Sequence, residues 1–322
     1  MGVIDTEGKN YFGLSRIFAD AFNYLLYDGE EVIKADSLKE LDTTQIAIPY
    51  GNGARVPTQK YRDLLKIWSA MMDENAVYVM LGAELQDKVH YAMPVKNGLY
   101  DMIGYARQVE EARASFKKTT DEKEAELFVE GDAIKIKLTS EEFLSGFRKA
   151  DKLIPIITAT VYLSADKWDG PLSLHEMLDV KDKRLLRFIP DYPINLIAPV
   201  NMEDEEFAKF HTDLGFAMNA LKYQRDKRIT DVFLSTTKRI DKNTAEFVNR
   251  VANLGLEYVD DGKGGYDVCR GMEENNKMRE VSGAIKVLRA TGTEDKDIID
   301  KIVENFNVTK EYVMELLAPK TA

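Results

Sequence analysis

The spacing of apolar positions predicts helices and strands along most of the chain. Residues 14–26 carry apolar side chains at helical spacing, which predicts a helix. Residues 60–68 and 76–86 are rich in aliphatic and aromatic side chains and predict two strands joined by a polar turn. Pro94 suits the first turn of a helix, which we expect to run to about residue 118.

Further along the chain, the pattern of apolar positions predicts additional strands as well as helices. The β-branched, apolar run at residues 152–163 is typical of a strand buried on both faces. Residues 126–138 alternate around a polar centre and predict a hairpin. The other expected elements are strands at 44–50 and 194–198 and helices at 172–188, 204–222 and 241–253. Together these elements predict an α/β fold with a mixed central sheet flanked by helices.

The carboxyl-terminal part of the chain has a different pattern. Residues 259–266 are rich in Asp and Gly and predict a linker. Amphipathic stretches follow at 270–290, 294–305 and 309–317. We therefore expect a main domain over residues 1–255 and a linker with a helical extension over 256–322. Self-association of the chain, if there is any, is expected through these last helices.

The amino-acid composition narrows the classes of protein to which the chain can belong. The chain has 322 residues, 44% of them hydrophobic, and its single cysteine excludes an intramolecular disulfide framework and a Cys-rich zinc site. The amino terminus lacks the pattern of a signal peptide, and the most apolar run is too short to span a bilayer. A reducing cytoplasm is the expected compartment. The net charge of −11 disfavours non-specific clamping of a polyanion but leaves room for local positive regions.

The two central strands bring acidic residues together if they form a hairpin. With the turn centred between Asp73 and Glu74, Asp63 lies directly opposite Glu84. Their Cβ atoms are then about 4.5–5.5 Å apart. Side chains alternate along a strand, so Gln86 shares the face of Glu84. Asp63, Glu84 and Gln86 are therefore expected to form one cluster of oxygen-bearing groups.

Such a pair of carboxylates suits a divalent cation. Opposed carboxylates repel each other, and partial burial among the neighbouring apolar residues increases that cost. Mg²⁺ prefers one or two carboxylates together with water and phosphate oxygens, and it can activate water for attack on a phosphodiester. The alternative is that Asp63 and Glu84 point to solvent on an exposed sheet face.

The same residues resemble a known motif. The PD-(D/E)XK nuclease superfamily carries an Asp on one strand and Asp/Glu-x-Lys on the next, followed by a helix. Here the pattern reads Tyr61-Arg62-Asp63, then Glu84-Leu85-Gln86, then the helix from Pro94. The resemblance implies a restriction-endonuclease-like core in which Asp63 and Glu84 hold Mg²⁺ or Mn²⁺.

More narrowly, the chain resembles the Rpn family of recombination-promoting nucleases, also described as transposase-like PD-(D/E)XK nucleases. The resemblance covers roughly residues 14–225, and members often carry a helical carboxyl-terminal extension. The order and spacing of several segments carry it. These are Phe18-Ala19-Asp20-Ala21-Phe22-Asn23, Pro155-Ile156-Ile157 through Val161-Tyr162, Trp168-Asp169-Gly170-Pro171 and Ile189-Pro190-Asp191-Tyr192.

The resemblance implies a metal-dependent endodeoxyribonuclease acting on DNA, with one departure from the motif. Gln86 stands where the superfamily has Lys, although relatives in the family also use Gln. Gln86 can orient water or phosphate but supplies no positive charge. Lys96 and Lys88 are the nearest basic candidates in sequence. By resemblance, Asp20 is expected as a further metal ligand from the first helix, the alternative being a solvated helix residue.

Contacts to DNA are expected from the helix that follows Gln86. Lys96, Tyr100 and Arg107 fall on a broadly shared side of it and are expected to contact the substrate backbone, the alternative being a solvated helix face. Two rival functions remain open. The first is a catalytically degenerate relative that binds DNA or a protein. The second is an assembly or regulatory protein dominated by its helical tail.

Overall fold

The computed structural model describes residues 3–47, 58–72, 75–116, 124–129, 132–137, 139–226, 239–252, 259–260, 262 and 265–317. The chain forms two compact units, residues 1–222 and 223–322. The domain boundary expected after residue 255 stays a prediction. Among the residues described, no helix is long and apolar enough to cross a membrane.

The α-helices and strands are as follows. The helices are α1 (Val3–Gly13), α2 (Ser15–Tyr27), α3 (Met93–Phe116), α4 (Ser140–Ser145), α5 (Leu214–Tyr223), α6 (Lys242–Val251), α7 (Val268–Ala290), α8 (Asp295–Phe306) and α9 (Lys310–Leu317). The strands are β1 (Leu38–Glu40), β2 (Thr44–Ala47), β3 (Thr58–Tyr61), β4 (Leu64–Met72), β5 (Asn75–Gln86), β6 (Glu124–Val129), β7 (Asp132–Lys137), β8 (Ile156–Tyr162), β9 (Asn195–Ile197), β10 (Val259–Asp260) and β11 (Tyr266–Asp267).

A mixed sheet with the strand order β1-β4-β5-β8-β9 forms the centre of the first unit. Strands β1, β4 and β5 are antiparallel neighbours, whereas β8 runs parallel to β5 and β9 parallel to β8. Helix α3 lies in the connection from β5 to β8, as a parallel crossover requires. The expected α/β fold with a mixed sheet flanked by helices is confirmed.

The predicted hairpin register is also confirmed. Leu64 pairs with Ala83 and Lys66 with Leu81, and the antiparallel ladder runs to Met72. Continuing this register by one residue puts Asp63 opposite Glu84. The turn predicted around residues 73 and 74 lies outside the described residues.

Buried polar side chains connect helices to both faces of this sheet. On one face, Lys66 donates hydrogen bonds to the Gly13 carbonyl and to Ser15 Oγ, between α1 and α2. On the other face, Asn97 of α3 donates a hydrogen bond to Thr160 Oγ1 of β8. Helices therefore pack against both faces of the sheet.

Several elements differ from their predicted extent. The strand expected over 60–68 is split, because β3 pairs with β2 in a separate small sheet while β4 joins the main one. The helix expected over 204–222 is also split into a 3-10 helix, Asp204–Lys209, and α5. Between them, the N–H groups of His211 and Thr212 donate to the Asp20 carboxylate instead of to a helical carbonyl. Helix α1 was not predicted.

The second unit contains the helices expected near the carboxyl terminus. Helices α7, α8 and α9 enclose buried aliphatic side chains. These are Val281, Ile285, Ile298, Ile302 and Val313. Where the linker was expected, the described residues include the short antiparallel pair β10 and β11.

Candidate functional site

Asp63 lies at the break between β3 and β4, where the chain passes from the small sheet to the main one. Its Oδ2 accepts a hydrogen bond from the backbone N–H of Leu85 at 2.9 Å. Its Oδ1 lies 2.9 Å from Nζ of Lys9, which comes from α1. The β5 backbone therefore fixes the Asp63 carboxylate beside the end of that strand.

Glu84 is a fully buried carboxylate on β5. Its Oε2 forms an ion pair with Lys96 Nζ at 2.9 Å, and its Oε1 has no hydrogen-bond partner among the residues that the structure describes. Burial raises the pKa of Glu84 to about 7; Lys96 opposes this rise, and the nearby Asp63 carboxylate adds to it. A buried carboxylate oxygen without a partner is costly to the fold.

Lysines from two helices balance the carboxylates. Lys96 comes from the first turns of α3, and its Nζ lies 5.9 Å from the centre of the Tyr100 ring. Burial lowers the pKa of Lys96, but the Glu84 carboxylate raises it, and the net change is upward. Lys9 occupies the corresponding place beside Asp63. The two ion pairs bring positive charge to both carboxylates.

A cleft of about 240 Å³ opens at these residues. It is lined by Lys9, Asp63, Leu85, Gln86, Asp87, Lys96 and Leu163. Gln86 donates a hydrogen bond from Nε2 to the Leu85 carbonyl. Because a water molecule in the liquid takes up about 30 Å³, the cleft has room for a phosphate group with several waters.

A buried network supports the residue that precedes Asp63. The guanidinium of Arg62 is fully buried, pairs with Asp101 Oδ1 at 2.7 Å and donates a hydrogen bond to Thr158 Oγ1. Its Cζ also lies 5.1 Å from the centre of the Tyr100 ring. Gly82 makes this possible, because a Cβ there would lie 2.5 Å from Arg62 Nη1. This network was not predictable from the sequence, in which only the position of Arg62 next to Asp63 stands out.

The structure brings some of the predicted site residues together and leaves others apart. Asp63, Gln86 and Lys96 line one cleft, with Glu84 behind Lys96 and Tyr100 beside it. Arg107 is exposed on α3 and pairs with Glu111 at 2.9 Å. Lys88 is absent from the residues that line the cleft.

Asp20 belongs to another part of the unit. Its carboxylate accepts hydrogen bonds from the N–H groups of His211 and Thr212 and from the Thr212 hydroxyl. Over the described ranges, the structure contains no group of three His, Cys, Asp or Glu side chains that would hold a metal ion. Asp20 is therefore not brought to Asp63 and Glu84 as a third acidic ligand.

The remaining donors still fit a divalent cation. Asp63 and Glu84 supply two carboxylates, Glu84 Oε1 is unpartnered among the described residues, and the cleft leaves space for water. Mg²⁺ is usually bound by one or two carboxylates and keeps several waters, so a dedicated cage of three acidic residues is not required. Binding would require the Lys9 and Lys96 ammonium groups to move away from the carboxylates or to share them.

Comparison with protein-family models, curated proteins and solved structures finds no match to this chain. The arrangement of Asp63, Glu84, Gln86 and Lys96 is therefore the basis for assigning chemistry to this cleft.

Proposed function

We propose that this protein is a metal-dependent DNA endonuclease of the PD-(D/E)XK type that hydrolyses phosphodiester bonds. The observation that carries the proposal is the fully buried Glu84 carboxylate, which has an unpartnered oxygen among the described residues and lies next to Asp63 and Lys96. The order of elements supports it, since Asp63 precedes one hairpin strand, Glu84 and Gln86 end the next, and α3 follows. A cytoplasmic location and a role in DNA recombination or transposition belong to the same proposal.

The proposal gives a role to three residues that line the cleft and to the buried Glu84. Asp63 and Glu84 would hold Mg²⁺ or Mn²⁺, which when bound supplies Lewis acidity toward a phosphoryl oxygen. Lys96 places an ammonium group at the cleft, where it stabilises negative charge that develops on the phosphate. Gln86 lines the cleft and orients a water or a phosphate oxygen.

A divalent-dependent cleavage assay tests the proposal. Purified protein is expected to convert supercoiled plasmid to nicked or linear DNA with Mg²⁺ or Mn²⁺ and to leave it intact with EDTA. Asp63→Ala is expected to abolish conversion. Asp36→Ala, which removes an exposed carboxylate elsewhere in the unit, serves as the control and should retain it. Absence of both cleavage and Mn²⁺ binding in the wild-type protein would refute the proposed endonuclease activity.

Substitutions of Lys96 test whether this residue of α3 performs the role that the motif assigns to a lysine on the strand. Lys96→Met removes the charge, and we expect it to lower the cleavage rate by about a hundredfold, whereas Lys96→Arg should retain part of the rate. Equal loss in both variants, accompanied by lost stability, would indicate a packing role only.

A catalytically degenerate relative that binds DNA or a protein is the second candidate. The observation that favours it is the pairing of Asp63 with Lys9 and of Glu84 with Lys96, because these ion pairs relieve the repulsion without a metal ion. Titration with Mn²⁺ separates the two functions, since the second candidate predicts no saturable binding at the cleft. Self-association through α7–α9 stays a prediction for either function.

A further inference from the structure

The connection from β8 to β9 contains a loop that is closed at its base. Ser173 and Pro193 form an antiparallel β-bridge, and the N–H of Ile194 donates to the Leu172 carbonyl at 2.8 Å. The N–H of His175 donates to the Asp191 carboxylate at 2.9 Å. These bonds join the two ends of the loop, so its middle part projects from a fixed base.

The middle of this loop, residues 181–188, is here called the loop tip. It contains a 3-10 helix, Lys183–Phe188, in which Asp182 caps the first turn. Side chains three residues apart are stacked above each other in a 3-10 helix. Leu185 and Phe188 therefore share one side, and they are 53% and 72% exposed. Arg184 and Arg187 share a neighbouring side.

The loop tip is basic although the protein is acidic. It holds four basic side chains and one acidic side chain, whereas the whole chain has a net charge of −11. Asp182 pairs with Arg184 at 2.7 Å and offsets its charge. The Arg187 guanidinium lies 4.6 Å from the centre of the Phe188 ring, and Lys181 and Lys183 are exposed. Positive charge and an exposed aromatic ring are thus presented side by side.

The loop begins at the same edge of the sheet as the candidate site. Strand β8 is parallel to β5, and Tyr162 at its end pairs with Gln86. Beyond it, Trp168 packs edge-on against Tyr162 at 5.2 Å, and Tyr91, which follows β5, donates a hydrogen bond to Asp169. The first residues of the connection are therefore held against the segment that follows Gln86.

We propose that the loop tip binds single-stranded DNA. Aromatic rings stack on unpaired bases and basic side chains bind the phosphates between them, which is the combination that non-specific single-strand binding uses. Phe188 supplies the ring, and Lys181, Lys183 and Arg187 supply the charges. The inference rests on the proposed function, because it gives the DNA that the cleft would cut an additional contact in the connection that begins beside the cleft.

Binding is measured without divalent ions, so that cleavage does not contribute. A fluorescently labelled single-stranded oligonucleotide is titrated with full-length protein in EDTA over a series of salt concentrations. Lys181→Gln combined with Lys183→Gln is expected to weaken binding and to make the slope of log K against log salt shallower by about 1.4, since each phosphate contact contributes about 0.7 for a single strand. Lys149→Gln combined with Lys152→Gln removes two exposed lysines elsewhere and should leave the slope unchanged.

The ring is tested separately. Phe188→Ala is expected to weaken single-strand binding about tenfold with the salt slope unchanged, because stacking is not ionic. Phe188→Trp should restore it. Unchanged affinity in Phe188→Ala, or an unchanged slope in the lysine variant, would overturn the inference. Tighter binding of RNA of the same sequence would overturn the assignment to DNA.

The outcomes also separate this inference from the proposed function. Suppose that plasmid cleavage depends on Asp63 but single-strand binding is unchanged by the loop-tip substitutions. This result would refute the loop inference alone. Binding that depends on the loop tip in a protein that never cleaves DNA refutes the nuclease alone and leaves a DNA-binding module.

Discussion

Two buried carboxylates of the first unit, Asp20 and Glu84, differ in how their oxygens are used. The Asp20 carboxylate accepts hydrogen bonds from the backbone and hydroxyl of Thr212 and from the backbone of His211. Glu84 is more deeply buried, yet one of its oxygens lacks a partner among the described residues and the other is paired with Lys96. Both carboxylates are buried, so burial does not distinguish them. They differ in the hydrogen-bond and ion-pair partners of their oxygens.

The difference has an energetic meaning. Hydrogen bonds to a charged group contribute about 1.5–3 kcal/mol each, so the contacts of Asp20 stabilise the junction between α2 and the start of α5. An unpartnered buried oxygen costs about 1–3 kcal/mol, so Glu84 lowers stability where it lies. A residue that lowers stability at the end of a strand, beside a cleft, is suited to binding a ligand or a substrate.

The largest expected effect is on cleavage by Glu84→Gln. The substitution keeps the shape of the side chain but removes the charge that a divalent cation requires. We expect cleavage to fall about a thousandfold, which corresponds to about 4 kcal/mol of transition-state stabilisation. Plasmid cleavage with Mn²⁺ over a time course measures it.

The matched control is Asp20→Asn, which removes the other buried carboxylate charge. It should retain cleavage per folded molecule, as judged by circular dichroism at the assay temperature. If Asp20→Asn and Glu84→Gln lost cleavage equally, the distinction between the two carboxylates would be wrong.

The pH dependence of stability gives the next largest effect. Burial raises the pKa of Glu84 from 4.5 to about 7, so the fold binds this proton more tightly than the unfolded chain does. The resulting stabilisation is complete below pH 4.5 and is lost as the pH rises through 7. Without metal, the free energy of unfolding of the wild-type protein should therefore fall by about 3 kcal/mol relative to Glu84→Gln between these limits.

Urea unfolding of both proteins at about pH 4.5 and about pH 8 measures this difference. The comparison with Glu84→Gln removes the contributions of all other titrating groups, because both proteins share them. Parallel curves for the two proteins would contradict a raised pKa of Glu84.

The smallest expected effect is on stability at Asp20. Asp20→Asn keeps one acceptor oxygen but turns an amide toward the N–H groups of His211 and Thr212. We expect the free energy of unfolding to fall by about 2 kcal/mol, as measured by urea denaturation at neutral pH. Asp36→Ala, at an exposed carboxylate, should change it by less than about 0.5 kcal/mol. A neutral effect of Asp20→Asn would contradict its structural role.

The hairpin was predictable because local rules determine it. The apolar composition of residues 60–68 and 76–86 and the polar turn between them were enough to predict the register, in which Leu64 pairs with Ala83. The long crossover helix followed from Pro94 and the helical spacing after it. In each case, the deciding information lay within a few residues of the chain.

The partners of the carboxylates were not predictable in the same way. Lys9 reaches Asp63 from α1, which the apolar pattern did not reveal, and Arg62 reaches Asp101 across 39 residues of chain. Asp20 shows the same limit, since its hydrogen bonds go to residues about 190 positions away. Such contacts depend on how the elements pack, which single-sequence periodicity does not encode.

Helix α3 makes polar contacts with three different segments along less than two of its turns. Lys96 pairs with Glu84 of β5, Asn97 donates to Thr160 of β8, and Asp101 pairs with Arg62 before β4. One helical turn advances about 5.4 Å, so a helix displaced by a turn would lose all three contacts together. The position of α3 along its axis therefore determines all three contacts together. A chain that has formed its hairpin but has not docked this helix lacks the ammonium group that pairs with Glu84.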